Sequence, residues 1–422
     1  MLNIIGKVFK NKVFMVIAIL ILITFPNTLY KQSDKDTTIV ATSIGIEKKD
    51  EQYSVSILAV IPKGESDVNS NLEIFEADGE TVSEALDNIT LDIGRKIGLA
   101  HCDCIVFTEE IMQDNLTQIL DYFTRTANLS TNPTLIATPT SAKELLNSVK
   151  SSNNLLDLSL KNIISSQEDR TLLKNITLDR FYRAYFSPNS TFTIPILTTD
   201  KSSNSSDGSG SSSGGNLPEE SSGGSSSSGS SSSGSGNSDA KIKNNGQVAV
   251  LRDGSLIGHL NKDEEFIYNL LTNPSSYQKF VLENINDENF KDSTVVFQEA
   301  DKFIIPKYKF VDGKPVAEFN IWLSVMIDEA HSTSNNSYSS ISGTQNFLTD
   351  TIKEEFNNLV QEKLKTTNSL MQENRYDIMN LYSKFNAYKY RKFYNYLQTL
   401  ENKTEYMSNM SIEINLKLNY VI

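Results

Sequence analysis

The sequence predicts an α+β protein of several domains on the far side of a membrane, with mixed sheets covered by helices. Three observations carry that reading. Strand-like and helix-like periodicities alternate from TIVATSIGI at residues 38–46 to a strictly alternating run at 411–422. An apolar run of thirteen residues, Val13 to Phe25, follows Lys7, Lys10 and Lys12, and no acidic residue comes before Asp34. Between Lys201 and Ala240 the chain is almost wholly Ser, Gly and Asn. Such a tract buries too little apolar surface to offset its ordering entropy, so disorder is expected there. These features divide the 422 residues into five parts. They are a membrane anchor or uncleaved signal at 1–30, an N-terminal α+β domain at 31–200 and a Ser/Gly linker at 201–240. A small middle α+β region at 241–300 and a C-terminal α+β domain at 301–422 follow.

The basic flank and apolar run place the amino terminus in the cytoplasm and everything after Tyr30 across the membrane. Thirteen residues are short for a span, since a helix rises ~1.5 Å per residue and the hydrocarbon core is ~30 Å thick. Two readings compete: a cleaved leader, or an uncleaved anchor lengthened by Ile4, Ile5, Val8 and Phe9 behind snorkelling lysines. The residues after the run, PNTLYKQS, lack the small-residue pattern of a cleavage site, which favours the anchor.

Residues 38–46 and 53–61 read as a hairpin joined by a polar turn at Glu47–Glu51, with Tyr53, Val55, Ile57, Ala59 and Ile61 on one face. Leu72–Ala77 is a third strand. Thr81 is placed as a helix N-cap, with Glu84 as its capping-box partner and Val82, Ala85, Leu86, Ile89 and Ile93 as the apolar stripe. A strand over 98–107, a helix from Glu109 through Phe123, a strand at 134–138 and a helix after Pro139 continue the pattern. Thr193–Leu197 closes the first domain. Beyond the Ser/Gly tract, 247–252 and 255–260 flank Asp253-Gly254 as a hairpin, and Asn261 caps a helix. Strands are expected at 293–298, 303–310 and 317–328, and a long helix from Asp350 carries Ile352, Phe356, Leu359, Val360 and Leu364. In the last strand Ile412, Ile414, Leu416, Leu418 and Tyr420 alternate with polar residues, so it pairs in a sheet.

A net charge of −13 argues against nucleic acid, which needs clustered Lys and Arg. Two cysteines exclude a disulfide framework, and three histidines leave little for a metal or catalytic centre. Only His101-Cys102-Asp103-Cys104 crowds such residue types. On one strand Cys102 and Cys104 share a face and His101 and Asp103 the other, which cannot give four tetrahedral ligands. Packing is the favoured reading; a redox pair, or a strained disulfide between the two, is the alternative. No phosphate-binding loop, zinc-protease or serine-hydrolase motif is present. Tyr388–Leu397 is basic and aromatic and is expected to pack inward or to meet a partner protein. No catalytic, cofactor-binding or metal-site residue is assigned, and no cofactor; the chain is read as a non-enzyme.

Several stretches resemble the Ger(x)C family, the C subunits of spore germinant receptors. They are Gly45-Ile46-Glu47-Lys48 with Tyr53-Ser54-Val55-Ser56, Gly98-Leu99-Ala100-His101 with Ile105-Val106 and Glu109-Glu110, and Leu120–Arg125. Gln247–Val250 through Leu256–Leu260 and Tyr376-Asp377-Ile378 complete the series, in order from about residue 38 to the end. The resemblance implies a non-catalytic extracytoplasmic subunit at the spore inner membrane, working with A-type and B-type membrane subunits in nutrient sensing. It also implies a lipidated cysteine near the amino terminus, where this chain has Thr28, Leu29 and Tyr30. A transmembrane segment is therefore expected as the substitute. The other function consistent with the sequence is a cell-envelope binding module, adhesin-like, on a flexible tether.

Overall fold

The computed structural model describes residues 38–61, 72–125, 129, 132–151, 160–169, 175–187, 191–200, 241–243, 246–272, 278–287, 293–331 and 348–421. The expected anchor at 1–30 and linker at 201–240 lie outside them. Among the described residues no helix is long and apolar enough to cross a membrane.

Strands β1 (Thr38–Lys49) and β2 (Gln52–Val60) form the expected hairpin, and β3 (Leu72–Gly79) pairs antiparallel with β2. The turn is shorter than the sequence suggests: β1 runs through Lys49, and only Asp50 and Glu51, both at positive φ, make the reversal. Helix α1 (Val82–Ile93) begins at Thr81, whose hydroxyl accepts from the Glu84 N–H at 3.1 Å. The Glu84 carboxylate reaches back to the Glu80 N–H at 2.8 Å, one residue beyond the usual box.

The strand expected over 98–107 is instead two pieces, β4 (Lys96–Gly98) and β5 (Cys104–Thr108), both parallel to β1 on either side of its bulge at Ala41/Ser43. Residues 99–103 loop out between them, held by Cys102 N–H to Leu99 O and Asp103 N–H to Thr42 O. The single expected helix from Glu109 is likewise two, α2 (Glu109–Gln113) and α3 (Leu116–Arg125), split where Asp114 is extended. The Asn115 side chain accepts from the Thr117 N–H at the start of α3. Strand β6 (Thr134–Thr138) completes a sheet of order β3-β2-β1-β5-β6, with parallel strands buried on both faces. Helices α4 (Ala142–Ser151), α5 (Leu160–Asp169) and α6 (Leu178–Tyr185) follow.

Strand β7 (Thr191–Pro195) pairs across the Ser/Gly tract. After the short β8 (Thr198–Asp200) and β9 (Lys241–Lys243), β10 (Val248–Arg252) lies between β7 and β11 (Ser255–Leu260) in one antiparallel sheet. Asn261 and Glu264 form a full capping box at α7 (Lys262–Thr272).

The C-terminal sheet has order β12-β13-β14-β15. Its members are β12 (Lys279–Leu282), β13 (Thr294–Val311), β14 (Lys314–His331) and, parallel to β14, β15 (Ser411–Tyr420). Strand β13 joins the two strands expected at 293–298 and 303–310, and the 300/301 domain boundary drawn from the sequence falls inside it. A bulge at Glu299/Asp301 switches the inward positions from Val295 and Phe297 to Ile304, Tyr308 and Phe310. Glu299 and Lys302 face each other at 3.6 Å with side chains 2% and 1% exposed, which hides two charges inside a strand. Burial lowers the Lys302 pKa, and the Glu299 carboxylate opposes that shift. Helices α8 (Asp350–Glu373) and α9 (Leu381–Leu397) cover one face, and a short α10 (Tyr406–Asn409) leads into β15. Helix α8 starts at Asp350 as expected, and Thr349 caps it, accepting from the Ile352 N–H at 3.2 Å.

Two buried apolar clusters result. One lies between the first sheet, α1–α3 and the β7 sheet. The other runs from the opposite face of the first sheet, through α4, into the C-terminal sheet with α8 and α9. The core of the second half is thus continuous with one face of the first.

Candidate functional site

The reactive residue types do not converge. Cys102 lies in the loop before β5 and Cys104 opens the strand, so they do not share a strand face as expected; they belong to different clusters. Both are free and buried. Burial pushes the Cys102 thiol up to about 12 and that of Cys104 well above its ordinary value, which keeps both protonated. His259 pairs with Glu109 at 3.3 Å, and His331 with Glu329 at the far end of β14. Among the described residues no group of three His, Cys, Asp or Glu is placed to hold a metal.

Several of the motif residues quoted above instead hold elements of the fold together, at separate places. The Glu47 carboxylate accepts from Ser141 Oγ at 2.7 Å and from the Lys143 N–H at 2.8 Å, which fixes the start of α4 on β1. The β10–β11 hairpin is gripped from both halves. On one side its Gly254 carbonyl accepts from the Leu116 N–H at 2.9 Å, at the head of α3. On the other, the Arg252 guanidinium donates to the Arg375 carbonyl, and the Tyr376 hydroxyl donates to the Ile257 carbonyl at 3.3 Å. A Cβ on Gly258 would lie 1.8 Å from that hydroxyl oxygen, so only glycine lets the ring seat. We expect Gly258→Ala to cost about 1–3 kcal/mol through overpacking, read from the denaturant midpoint, with Tyr376→Phe recovering part of it.

Asp377, the next residue, is fully buried. Its carboxylate accepts from the Leu381 N–H at 2.6 Å, the Tyr382 N–H at 2.8 Å and the Tyr406 hydroxyl. It thereby ties the head of α9 to α10. Burial pushes its pKa up to about 6 against those three hydrogen bonds, and the Tyr406 hydroxyl is pushed well above its ordinary value by burial and the same carboxylate.

Beside this joint, Ile378 and Asn380 line a cavity of about 320 Å³ with Arg180, Arg183, Thr191 and Phe192 from α6 and β7. The Thr191 hydroxyl and the Asn380 amide oxygen are buried with no hydrogen-bond partner among the described residues. Both arginines of the lining already have partners: Arg183 pairs with Asp179 at 2.9 Å, and Arg180 donates to the Asn175 carbonyl at 2.7 Å. Nothing in the sequence signals the cavity, because its walls come from segments almost two hundred residues apart.

The basic aromatic run at 388–397 packs inward in part, as expected of it. Phe393 and Leu397 are buried, while Tyr388, Tyr390 and Tyr394 are exposed, the last two stacked at 6.0 Å. On the open face of the C-terminal sheet Phe303 and Trp322 lie exposed with their rings 5.9 Å apart.

Comparison with known proteins finds two family profiles along the chain. Residues 32–199 match the profile of the spore germination protein N-terminal domain, and residues 246–420 match the spore germination B3/GerAC-like C-terminal domain. Among solved structures, the crystal structure of the GerBC protein is similar at 13% identity, covering 90% of this chain and 97% of that one with a TM-score of 0.49. No curated protein matches. With the two profiles together spanning most of its length, the chain belongs to the Ger(x)C family, the GerAC-like C subunits of spore germinant receptors.

Proposed function

We propose that this chain is a non-catalytic subunit held by residues 1–30 in the spore inner membrane, with its bulk on the extracytoplasmic face. There it assembles with A-type and B-type membrane subunits and relays nutrient binding between them. The observation that carries this reading is the joint itself. Gly258 and Tyr376 meet where the β10–β11 hairpin packs on the C-terminal part, and Asp377 beside them ties the head of α9 to α10, so these motif residues set relative position. Residues placed that way suit a part that transmits or holds geometry.

The test is fractionation and germination of spores. The full chain is expected in the inner-membrane fraction with Lys7 to Lys12 retained at its mature amino terminus, co-purifying in detergent with multi-helix membrane partners. A chain lacking residues 1–30 is expected to leave that fraction and to behave like a deletion, with the nutrient response lost. A mature terminus beyond Tyr30 overturns the anchor. Normal germination of the deletion strain with every nutrient, no paralogue being present, overturns the receptor role and favours an envelope-binding module.

A further inference from the structure

We infer that the β15 edge is an isologous docking surface for a second copy of this chain. Strand β15 ends the C-terminal sheet, and its far side has no strand partner among the described residues. It runs ten residues without a bulge or proline, which is an open template for another strand. Val421 N–H donates to Val325 O at 2.8 Å, so the odd-numbered residues of β15 direct their backbone groups at β14. The even-numbered ones, Ile412 to Tyr420, therefore direct theirs outward.

The sequence of that edge is self-complementary. A two-fold axis through Asn415, with the copies antiparallel, sets each Glu413 opposite the other copy's Lys417 and each Ser411 opposite Asn419. The same register makes Ile414 with Leu416, and Ile412 with Leu418, the hydrogen-bonded pairs, which the outward backbone groups require, for about eight bonds in all. Moving the axis by one residue to Leu416 or Ile414 removes both charge pairs, and moving it by two sets like charges opposite each other. Glu413 also holds Lys309 of its own copy at 3.0 Å, so across the axis the charges act as a register key.

The helix side of the edge is shaped to receive the partner. A groove of about 770 Å³ runs between β15 and α8, lined by Gln361, Leu364 and Asn368 on the helix and Ile412, Ile414 and Leu416 on the strand. The Asn368 amide oxygen is buried there without a hydrogen-bond partner among the described residues. The even-numbered side chains of an added strand lie on this same face and would extend over the groove.

Cross-linking of the full chain in detergent tests the register directly. Asn415→Cys sits on the axis as a non-hydrogen-bonded pair, with Cα atoms ~4.5 Å apart, inside the disulfide range. It is expected to form a covalent dimer on mild oxidation, and the native cysteines, both buried, do not compete. Glu413→Cys alone is expected to give none, since the two copies of that position lie ~14 Å apart. Mixed with Lys417→Cys, it is expected to cross-link. By sedimentation, Lys417→Glu should weaken self-association about tenfold or more, and the Glu413→Lys/Lys417→Glu double variant should restore it. A monomer at every accessible concentration with no Asn415→Cys dimer overturns the inference. So does cross-linking of Glu413→Cys alone as readily as of Asn415→Cys.

Discussion

Phe356→Ala is expected to lower stability by about 4 kcal/mol, within the ~3–5 kcal/mol range for deleting a buried phenyl ring. Phe356 is fully buried on α8 and stacks on Phe297 of β13 with centroids 4.1 Å apart. Phe280 of β12 meets it edge-on at 5.4 Å, and Tyr420 of β15 lies 6.4 Å away. One ring therefore joins the long helix to three of the four strands. Its neighbours are fixed by strand pairing and cannot move in to fill the space, so the cavity term is paid nearly in full. The denaturant midpoint reads the loss. Phe356→Leu, which keeps most of the volume, should cost about 1.5 kcal/mol or less. Equal losses for the two variants would mean that ring stacking, not volume, dominates, and a loss near 1 kcal/mol for alanine would sink the argument.

Much of the fold was legible because much of it is periodic. The alternation in β15, the stripe on α8 and the capping residues Thr81 and Asn261 are local signals, and each element stands where its residues placed it. The misreadings share one physical cause: an event outside the local period. The bulge in β13 reverses inward parity, and the buried Glu299–Lys302 pair makes a strand interior read as a polar break. The loop at 99–103 exists because β1 has its own bulge, so two short strands must dock where one was expected. The pairing of β7 with β10 joins segments on either side of the Ser/Gly tract, and no local pattern announces it.

The joint was half legible. Gly258 and Tyr376-Asp377-Ile378 stood out through the family resemblance, but nothing in either stretch says that they touch. A carboxylate four residues ahead of a helical Leu reads as an ordinary cap. That it is fully buried depends on Tyr406, almost thirty residues later, closing over it. Burial is a property of the assembled core, and a sequence read in windows does not contain it.

That burial makes Asp377→Ala the variant with a pH signature. The substitution leaves the Leu381 and Tyr382 N–H groups and the Tyr406 hydroxyl without their acceptor, at about 1–3 kcal/mol for each stranded donor. Against this stands the cost of the buried charge. The folded pKa of about 6 lies above the ordinary value of 3.8, so between those values the native state binds more protons than the unfolded one. Stability from this group is present in full below the unfolded value and is lost as pH rises through the folded one. The Tyr382, Tyr406 and Leu381 hydrogen bonds and the Arg252 charge oppose the shift, but together they do not outweigh the desolvation. A shift of roughly two units amounts to about 3 kcal/mol, of which about 2 kcal/mol falls between pH 4.5 and pH 8. Alanine removes both terms together. Its cost should therefore be about 4 kcal/mol at pH 4.5 and about 2 kcal/mol at pH 8. Unfolding curves of wild type and variant at the two pH values give this difference of differences, in which every other titrating group cancels. A cost that is constant with pH would mean that Asp377 holds its ordinary pKa, and a cost that grows toward pH 8 would mean that its three donors outweigh its burial.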